Sequence, residues 1–314
     1  MKKLALLAIV LSFCTACNRA PQNHVVKETY IHKYGVPCSQ SDWEMQGREG
    51  QIVRLGKDGV TKTETYHQGI LEEETTYTFP HSSLIAKIET YRGGELVGVK
   101  EHYMTGVPSV EKVFSDGVLA EVTCWYEDGA PAYTEKYSGG VLEIAEYRTT
   151  LNELEGRVHG GQGIRVRRST TGDLLAKEMI EGGKRVESTI FYPSGEPKEI
   201  IPFRDGHVHG TKLTFLAGGV PLAAEEFVGG MREGKTTLYQ NGDKVAEVTY
   251  MRGKKHGMEL RFRDGVDLVE EICWQNDIQH GPTKLYIDGE ARTEWYHQGG
   301  LVNRATFERM NFPR

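Results

Sequence analysis

From residue 47 to residue 302 the large apolar side chains stand almost singly among polar ones, and they return at a fixed interval. Leu55, Phe79, Tyr103, Tyr126, Arg168, Tyr192, Phe215, Tyr239, Phe262 and Tyr286 form one series, with steps of 23 or 24 residues and a single step of 42. Tyr66, Tyr91, Phe114, Tyr137, Ile180, Phe203, Phe227, Tyr250, Trp274 and Tyr296 form a second series with nearly the same step. Two series locked to one period mark an internal repeat, which takes precedence over any local reading. No helical period of 3.6 residues survives beyond a turn or two.

Both series are followed by turn residues. Asp58-Gly59, Asp128-Gly129, Asn241-Gly242, Asp264-Gly265 and Asp288-Gly289 follow the first; Gly93-Gly94, Asp116-Gly117, Gly139-Gly140, Asp205-Gly206, Gly229-Gly230 and Gly299-Gly300 follow the second. Such pairs supply the positive φ that two-residue hairpin turns require. Each unit therefore reads strand, turn, strand, turn, as in "GKTTLYQNGDKVAEVTYMRG". With Asn241-Gly242 as the turn, Tyr239 faces Lys244, and Tyr239 and Tyr250 share one face. Stacked units would set the aromatics in two rows, with the rings of neighbouring units burying one another. The predicted fold is all-β: an elongated array of antiparallel hairpins in one twisted sheet, about ten units of 23–24 residues. A lone hairpin is marginal in water, so stability must come from nearest-neighbour contacts.

The pattern divides the chain. Residues 47–142 and 186–302 are two regular blocks. Residues 143–185 read as a degenerate or inserted unit, where a kink, loop or short helix is expected. Residues 18–46 are a tether followed by an N-terminal cap, "YIHKYGVPCSQSDWE", and 303–314 cap the last strand. Residues 1–17 differ from all the rest: Lys2 and Lys3, an uncharged run from Leu4 to Phe13, then Thr15-Ala16-Cys17. This is the form of an export signal, and it is too short for a membrane span. Its end resembles the lipobox of bacterial lipoproteins, with Cys14 where that motif usually has Leu. The resemblance implies acylation of Cys17 and anchorage to a bacterial membrane, inner or outer, with a secreted or periplasmic protein as the alternative.

Composition narrows the functional classes. Of 314 residues 37 are glycine and only 38% are hydrophobic, which suits short strands and tight turns. The formal charge is −6, or −8 without Lys2 and Lys3. An acidic chain excludes a nucleic-acid role, since phosphate binding is driven by Lys and Arg. Membrane contact would fall to the acyl chain at Cys17.

Units such as "HGPTKLYIDGEARTEWYHQGG" resemble the MORN-repeat variant of bacterial repeat proteins, including the YwqK-like group. The shared spacing is a Gly, five residues to an aromatic, a turn Gly three later, and a second aromatic before another Gly. The resemblance covers roughly residues 47–302. It implies a scaffold or binding surface with no catalytic residues. On this reading the aromatics Tyr192, Phe203, Phe215, Phe227, Tyr239, Tyr250, Phe262, Trp274, Tyr286 and Tyr296 are structural, as are Gly59, Gly129, Gly206, Gly242, Gly265 and Gly289.

The remaining candidate chemistry is weak. His209, His256 and His280 each precede a glycine at one position of the repeat, and units one or two steps apart leave them ~10–19 Å from each other. Zinc needs ligands ~2.1 Å from a single ion, so the histidines read as punctuation of the repeat and no metal or cofactor is expected. Cys38, Cys124 and Cys273, outside the leader, are an odd number without metal or redox spacing, and read as free thiols. Gly160-Gly161-Gln162-Gly163 lacks the strand–helix context of a nucleotide loop. Two functions stay open: a membrane-anchored, non-catalytic scaffold for protein partners at the cell envelope, and an array binding glycan or choline-type ligands through surface Tyr and Trp.

Overall fold

The computed structural model describes residues 25–287 and 289–312. Cys17 and the leader lie outside the described residues, as do most of the tether and Asp288. The described chain is antiparallel hairpins almost throughout, with two short helices. It divides into two compact units, one ending at Pro108 and the other beginning at Ser109. That boundary falls inside the first regular block, not at the degenerate segment.

In the first unit the strands Val25–His32, Gly50–Gly56, Thr61–His67, Glu73–Thr78, Ile85–Arg92 and Glu95–His102 pair in turn. In the second the same meander runs from Pro108–Ser115 to Gly300–Val302. Tyr239 opposes Lys244, as the turn at Asn241-Gly242 requires. After its first strand the first unit carries a helix, Gln40–Met45, whose N-cap Ser39 accepts the Asp42 N–H. This helix seats the buried Trp43 between Tyr30 and Tyr66, with ring centroids 5.5 and 5.6 Å away. The second unit ends in the helix Arg304–Asn311, which puts Phe307 against Trp295 at 5.0 Å.

The Asp-Gly and Gly-Gly steps do two different jobs. At Gly93-Gly94 both residues have positive φ, 61° and 82°, the geometry of a two-residue hairpin turn. At Asp128-Gly129 only the glycine is left-handed, at 88°. There the Tyr126 N–H bonds the Ala130 carbonyl, and Asp128 accepts the Ala130 N–H through its side chain. The same five-residue turn recurs at Gly56, Tyr103, Thr149, Ser169, Tyr192 and Leu216. The expectation that every Asp-Gly makes a two-residue turn is thus corrected. Register shifts sit at the aromatics of both series, for example at Tyr239 and Tyr250. A bulge there keeps the side chains of the strand middles on their proper face.

Residues 143–185 are neither a kink, a loop nor a helix. They are strands: the end of Val141–Arg148, then Leu154–His159, Gln162–Arg168, Leu174–Glu181 and the start of Lys184–Phe191. The step of 42 is two units long. Its middle turn, at Thr149, lacks the aromatic but keeps the hydrogen bonds, and Leu154–His159 has six residues where Val141–Arg148 has eight. The strands Leu154–His159 and Gln162–Arg168 pair only at 158–163 and 159–162. A Cβ on Gly156 would lie 2.7 Å from Val166 Cγ2 and 2.8 Å from the Ile164 carbonyl oxygen. The next strand therefore crosses directly over Gly156, and only glycine fits beneath it. This fold-over encloses Leu142, Ala145, Tyr147, Val158, Val166 and Ile180 in the main apolar cluster.

Candidate functional surface

Side chains alternate between the two faces of each strand, and one face carries a file of buried residues, one per strand, down the middle of the sheet. Val122, Glu135, Ala145 and Val158 stand opposite one another on successive strands. So do Glu225, Thr236, Val248, Glu259 and Ile272. In the first unit Ile52 faces Glu64, and Thr75 faces Glu89. All but the half-buried Glu89 are buried, Val158 completely. Through 225–272 the core is thus little more than one residue wide, and it mixes apolar side chains and a threonine with glutamates.

Buried carboxylates are stable only when paired and hydrogen-bonded. Glu259 receives Lys255 Nζ and Arg261 Nε, both at 2.8 Å, and Glu225 receives Arg232 at 2.6 Å. Arg54 and Lys62 close on Glu64. The cations also cover the aromatics: Lys255 lies 4.5 Å from the Trp274 ring centroid, Lys244 3.9 Å from Phe262 and Arg185 3.9 Å from Phe203. Cation–π contacts of this kind contribute ~0.5–2 kcal/mol each. All ten aromatics from Tyr192 to Tyr296 are half-buried, in two lines flanking the central file. Among the described residues no ring pair joins one repeat's aromatic to the next, so the rings do not bury one another. Lys, Arg and Glu separate them.

The network is densest where the strand crosses over. Arg165 holds Glu135 with Nε at 2.7 Å and Nη2 at 3.0 Å, while the Tyr147 hydroxyl donates to the same carboxylate at 2.7 Å and Tyr137 does likewise. Arg165 also lies 3.6 Å from Glu178, which Arg185 reaches at 3.0 Å. Burial first, and then the Glu135 carboxylate, push the Tyr147 and Tyr137 phenols well above their ordinary range. Burial alone would lower the Arg165 guanidinium, but Glu135 outweighs it and holds the cation charged. At Glu89, Glu155 and Glu259 burial works to raise the carboxyl, and the hydrogen bonds and charges of neighbouring Lys and Arg overcome it, so each sits below its usual value. These groups are engaged with one another: phenols held protonated, carboxylates held ionised. The arrangement fixes charge.

The histidines and cysteines fall at scattered places. His209 and His280 are strand breaks whose N–H groups bond the Pro202 and Cys273 carbonyls. His280 is drawn into the C-terminal cap: its Nε2 lies 3.1 Å from Asn311 Oδ1, and its Nδ1 accepts the Gln298 N–H. Cys38, Cys124 and Cys273 are thiols outside any disulfide, Cys124 buried and the other two half-buried. Trp274 Nε1 is buried without a hydrogen-bond partner. Hollows in the surface are open ones; that beside Val26, Leu55, Lys57 and His81 measures ≈ 480 Å³, and that beside Val141, Gly161 and Gly183 ≈ 310 Å³. The glutamates escaped the sequence reading, although Glu-x-aromatic recurs at 64/66, 89/91, 135/137, 225/227 and 294/296. A charged residue in mid-strand reads as solvent-facing until its face is known.

No protein-family model matches the chain, and no curated protein matches it. Among solved structures it is similar to the pneumococcal O-GlcNAc transferase GtfA in complex with UDP and GlcNAc, at 19% identity and a TM-score of 0.25, over 40% of this chain and 24% of that one. It is also similar to the GtfA/B complex, at 13% identity and a TM-score of 0.20, over 36% and 20%. The chain thus spans a quarter or less of the length of those proteins, and likenesses of this size carry no argument about activity.

Proposed function

We propose that the protein is a non-catalytic scaffold of MORN-like hairpin repeats, anchored through acylated Cys17 at the cell envelope, whose sheet surface binds protein partners. The observation that carries this reading is the way the aromatic face is spent. Among the described residues its glutamates, cations and rings are engaged with one another from strand to strand. On the opposite face Thr189, Ile200, Leu213, Ala224, the buried Thr237, Glu247 and Leu260 stand opposite one another on successive strands, all but Thr237 partly exposed. A surface of repeated small contacts suits an extended protein partner better than a compact substrate.

The second reading, a glycan or choline-type binding array, needs exposed aromatic faces at every unit. Lys255 over Trp274 and Phe307 beside Trp295 weigh against it. Cross-linking of the full chain in intact envelopes tests the two together. The scaffold reading expects a reproducible set of cross-linked proteins, no turnover, and loss of membrane fractionation on Cys17→Ser. Saturable binding of choline or a glycan, abolished by Trp274→Ala or Trp295→Ala, would replace it with the second reading.

A further inference from the structure

One amide, held between two imidazoles, ties the C-terminal helix Arg304–Asn311 to the sheet. Asn311 Nδ2 donates to the Phe307 carbonyl at 2.9 Å, which fixes the orientation of the amide. Its Oδ1 then faces His280 Nε2 at 3.1 Å, and its second N–H points to His297 Nδ1 at 3.2 Å. An amide oxygen only accepts, so His280 carries its proton on Nε2. The Nδ1 of that ring is left to accept the Gln298 main-chain N–H at 3.3 Å. Both rings are thus held neutral, each with Nδ1 as an acceptor.

Phe307 is buried beneath the two half-buried rings, 5.4 Å from His280 and 6.4 Å from His297, which stand 5.1 Å apart. The ionisable groups of the elements that meet here are engaged elsewhere or exposed. On the helix Arg304 pairs with Glu308 at 2.8 Å, and Arg309 is exposed. On the strands Lys284 pairs with Glu271 at 2.9 Å and Arg292 with Glu294 at 3.2 Å, while the Tyr286 and Tyr296 hydroxyls donate to the same two carboxylates. Glu290 is exposed, and Asp277, in the turn before His280, accepts the Lys255 N–H. Burial pushes the Cys273 thiol up, so it stays neutral. Among the described residues neither imidazole forms an ion pair that would favour its charged form.

We infer that this junction is a pH latch: protonation of His280 or His297 releases the helix Arg304–Asn311 and uncovers Phe307 and Trp295. A proton on His280 Nδ1 meets the Gln298 N–H, donor against donor, and a main-chain group cannot turn away. A proton on His297 Nδ1 meets Asn311 Nδ2 in the same way. Turning the amide over relieves neither clash without a new one, because it sets Nδ2 against the His280 Nε2–H and Oδ1 against the Phe307 carbonyl. The latch is therefore complete while the imidazoles are neutral. It is lost as the pH falls through the range of about 8 to 5 in which histidine gains charge. The glutamates of the sheet are still ionised there. The latch does not depend on what the sheet surface binds.

Hydrogen exchange of the full chain at about pH 7.5 and about pH 5, corrected for the intrinsic rate at each, tests this. Protection of 304–311 is expected to fall by about tenfold or more at the lower pH, while that of 225–275 holds. Asn311→Asp sets a carboxylate between the rings, where it accepts from imidazolium on both sides. In that variant the helix is expected to be better protected at the lower pH than at the higher. His280→Ala with His297→Ala, shown to be folded by circular dichroism, is expected to give the same low protection at both. Three results would overturn the inference: a wild-type helix equally protected at both pH values, a fall shared equally by 225–275, or an Asn311→Asp chain that follows the wild type. So would a pH dependence that the double alanine variant keeps.

Discussion

Residues 133–185 and residues 186–302 are built of the same hairpins and held together in different ways. In the regular stretch the core is a single file, Glu225, Thr236, Val248, Glu259 and Ile272, shielded from the side by rings and by Lys and Arg stems. Contacts there are with the next strand or hairpin, as where the Tyr192 hydroxyl donates to the Phe215 carbonyl at 2.9 Å. In 133–185 one strand crosses over another at Gly156, and Arg165 reaches back thirty residues to Glu135. The first arrangement is extensible, since any unit can be added or lost at similar cost. The second is a packed centre with long-range contacts. Regular repeats come with local energetics, and the unit that breaks the pattern is the one with a core.

Acid pH should separate the two regions most widely. Glu89, Glu155 and Glu259 ionise more readily in the folded chain than the ordinary carboxyl at ~4.3. Their contribution is therefore complete above that value and is lost as the pH falls through their lower folded values. Glu259 sits in the narrow file of 225–275 and Glu155 beside the apolar cluster of 142–180. Hydrogen exchange below about pH 4 is expected to show 225–275 losing protection first, because that cluster still holds the strands around Glu155 when its carboxyl is protonated. At the other extreme the raised phenols Tyr147 and Tyr137 favour the folded chain until the pH exceeds ~10, above which thermal stability should fall.

Substitutions sharpen the contrast. Glu135→Ala leaves Arg165 without its main partner and should cost about 3–5 kcal/mol in denaturant unfolding, whereas Glu135→Leu combined with Arg165→Leu should recover most of that loss. Gly183→Ala would place a Cβ 2.0 Å from Val141 Cγ1 and 2.7 Å from the Leu142 carbonyl oxygen, besides a φ of +69°. Its cost should exceed by several-fold the ~1–2 kcal/mol of Gly253→Ala, where φ is +81° but nothing lies within 4 Å. Val158→Ala and Val248→Ala should each cost about 2 kcal/mol. By hydrogen exchange the first should weaken the whole cluster and the second only its neighbouring hairpins. Thr236 is buried with an unpartnered Oγ1, so Thr236→Val should be neutral or stabilise by up to about 1 kcal/mol.

The hairpins, their register at Tyr239–Lys244 and the two lines of aromatics were legible because β-turn dipeptides and a period-2 pattern leave marks in the sequence. Three features left weaker marks. Arg252 and Gln298 take positive φ at the first position of two-residue turns, where side chains other than Gly, Asn and Asp are uncommon. Only the glycine after each marks the turn, and the turn at Gln298-Gly299 lies one residue before the Gly299-Gly300 step. Thr149 forms a repeat turn with no aromatic, because the turn is held by backbone bonds, and the unit around it looked degenerate for that reason. The file of buried glutamates was invisible because burial depends on what the neighbouring strands lay over it. Glu259 is buried by Lys255 and Arg261, two residues that any hydropathy pattern assigns to solvent.

Native-state hydrogen exchange across residues 109–312 tests most directly whether one chain holds both a packed centre and a nearest-neighbour ladder. The account predicts that amides of 142–148, 156–166 and 176–180 exchange only by the highest-energy opening. Protection should then step down hairpin by hairpin through 225–302, and removing denaturant should not merge the steps. A single opening energy shared by all these strands, or a maximum of protection within 225–275, would contradict it.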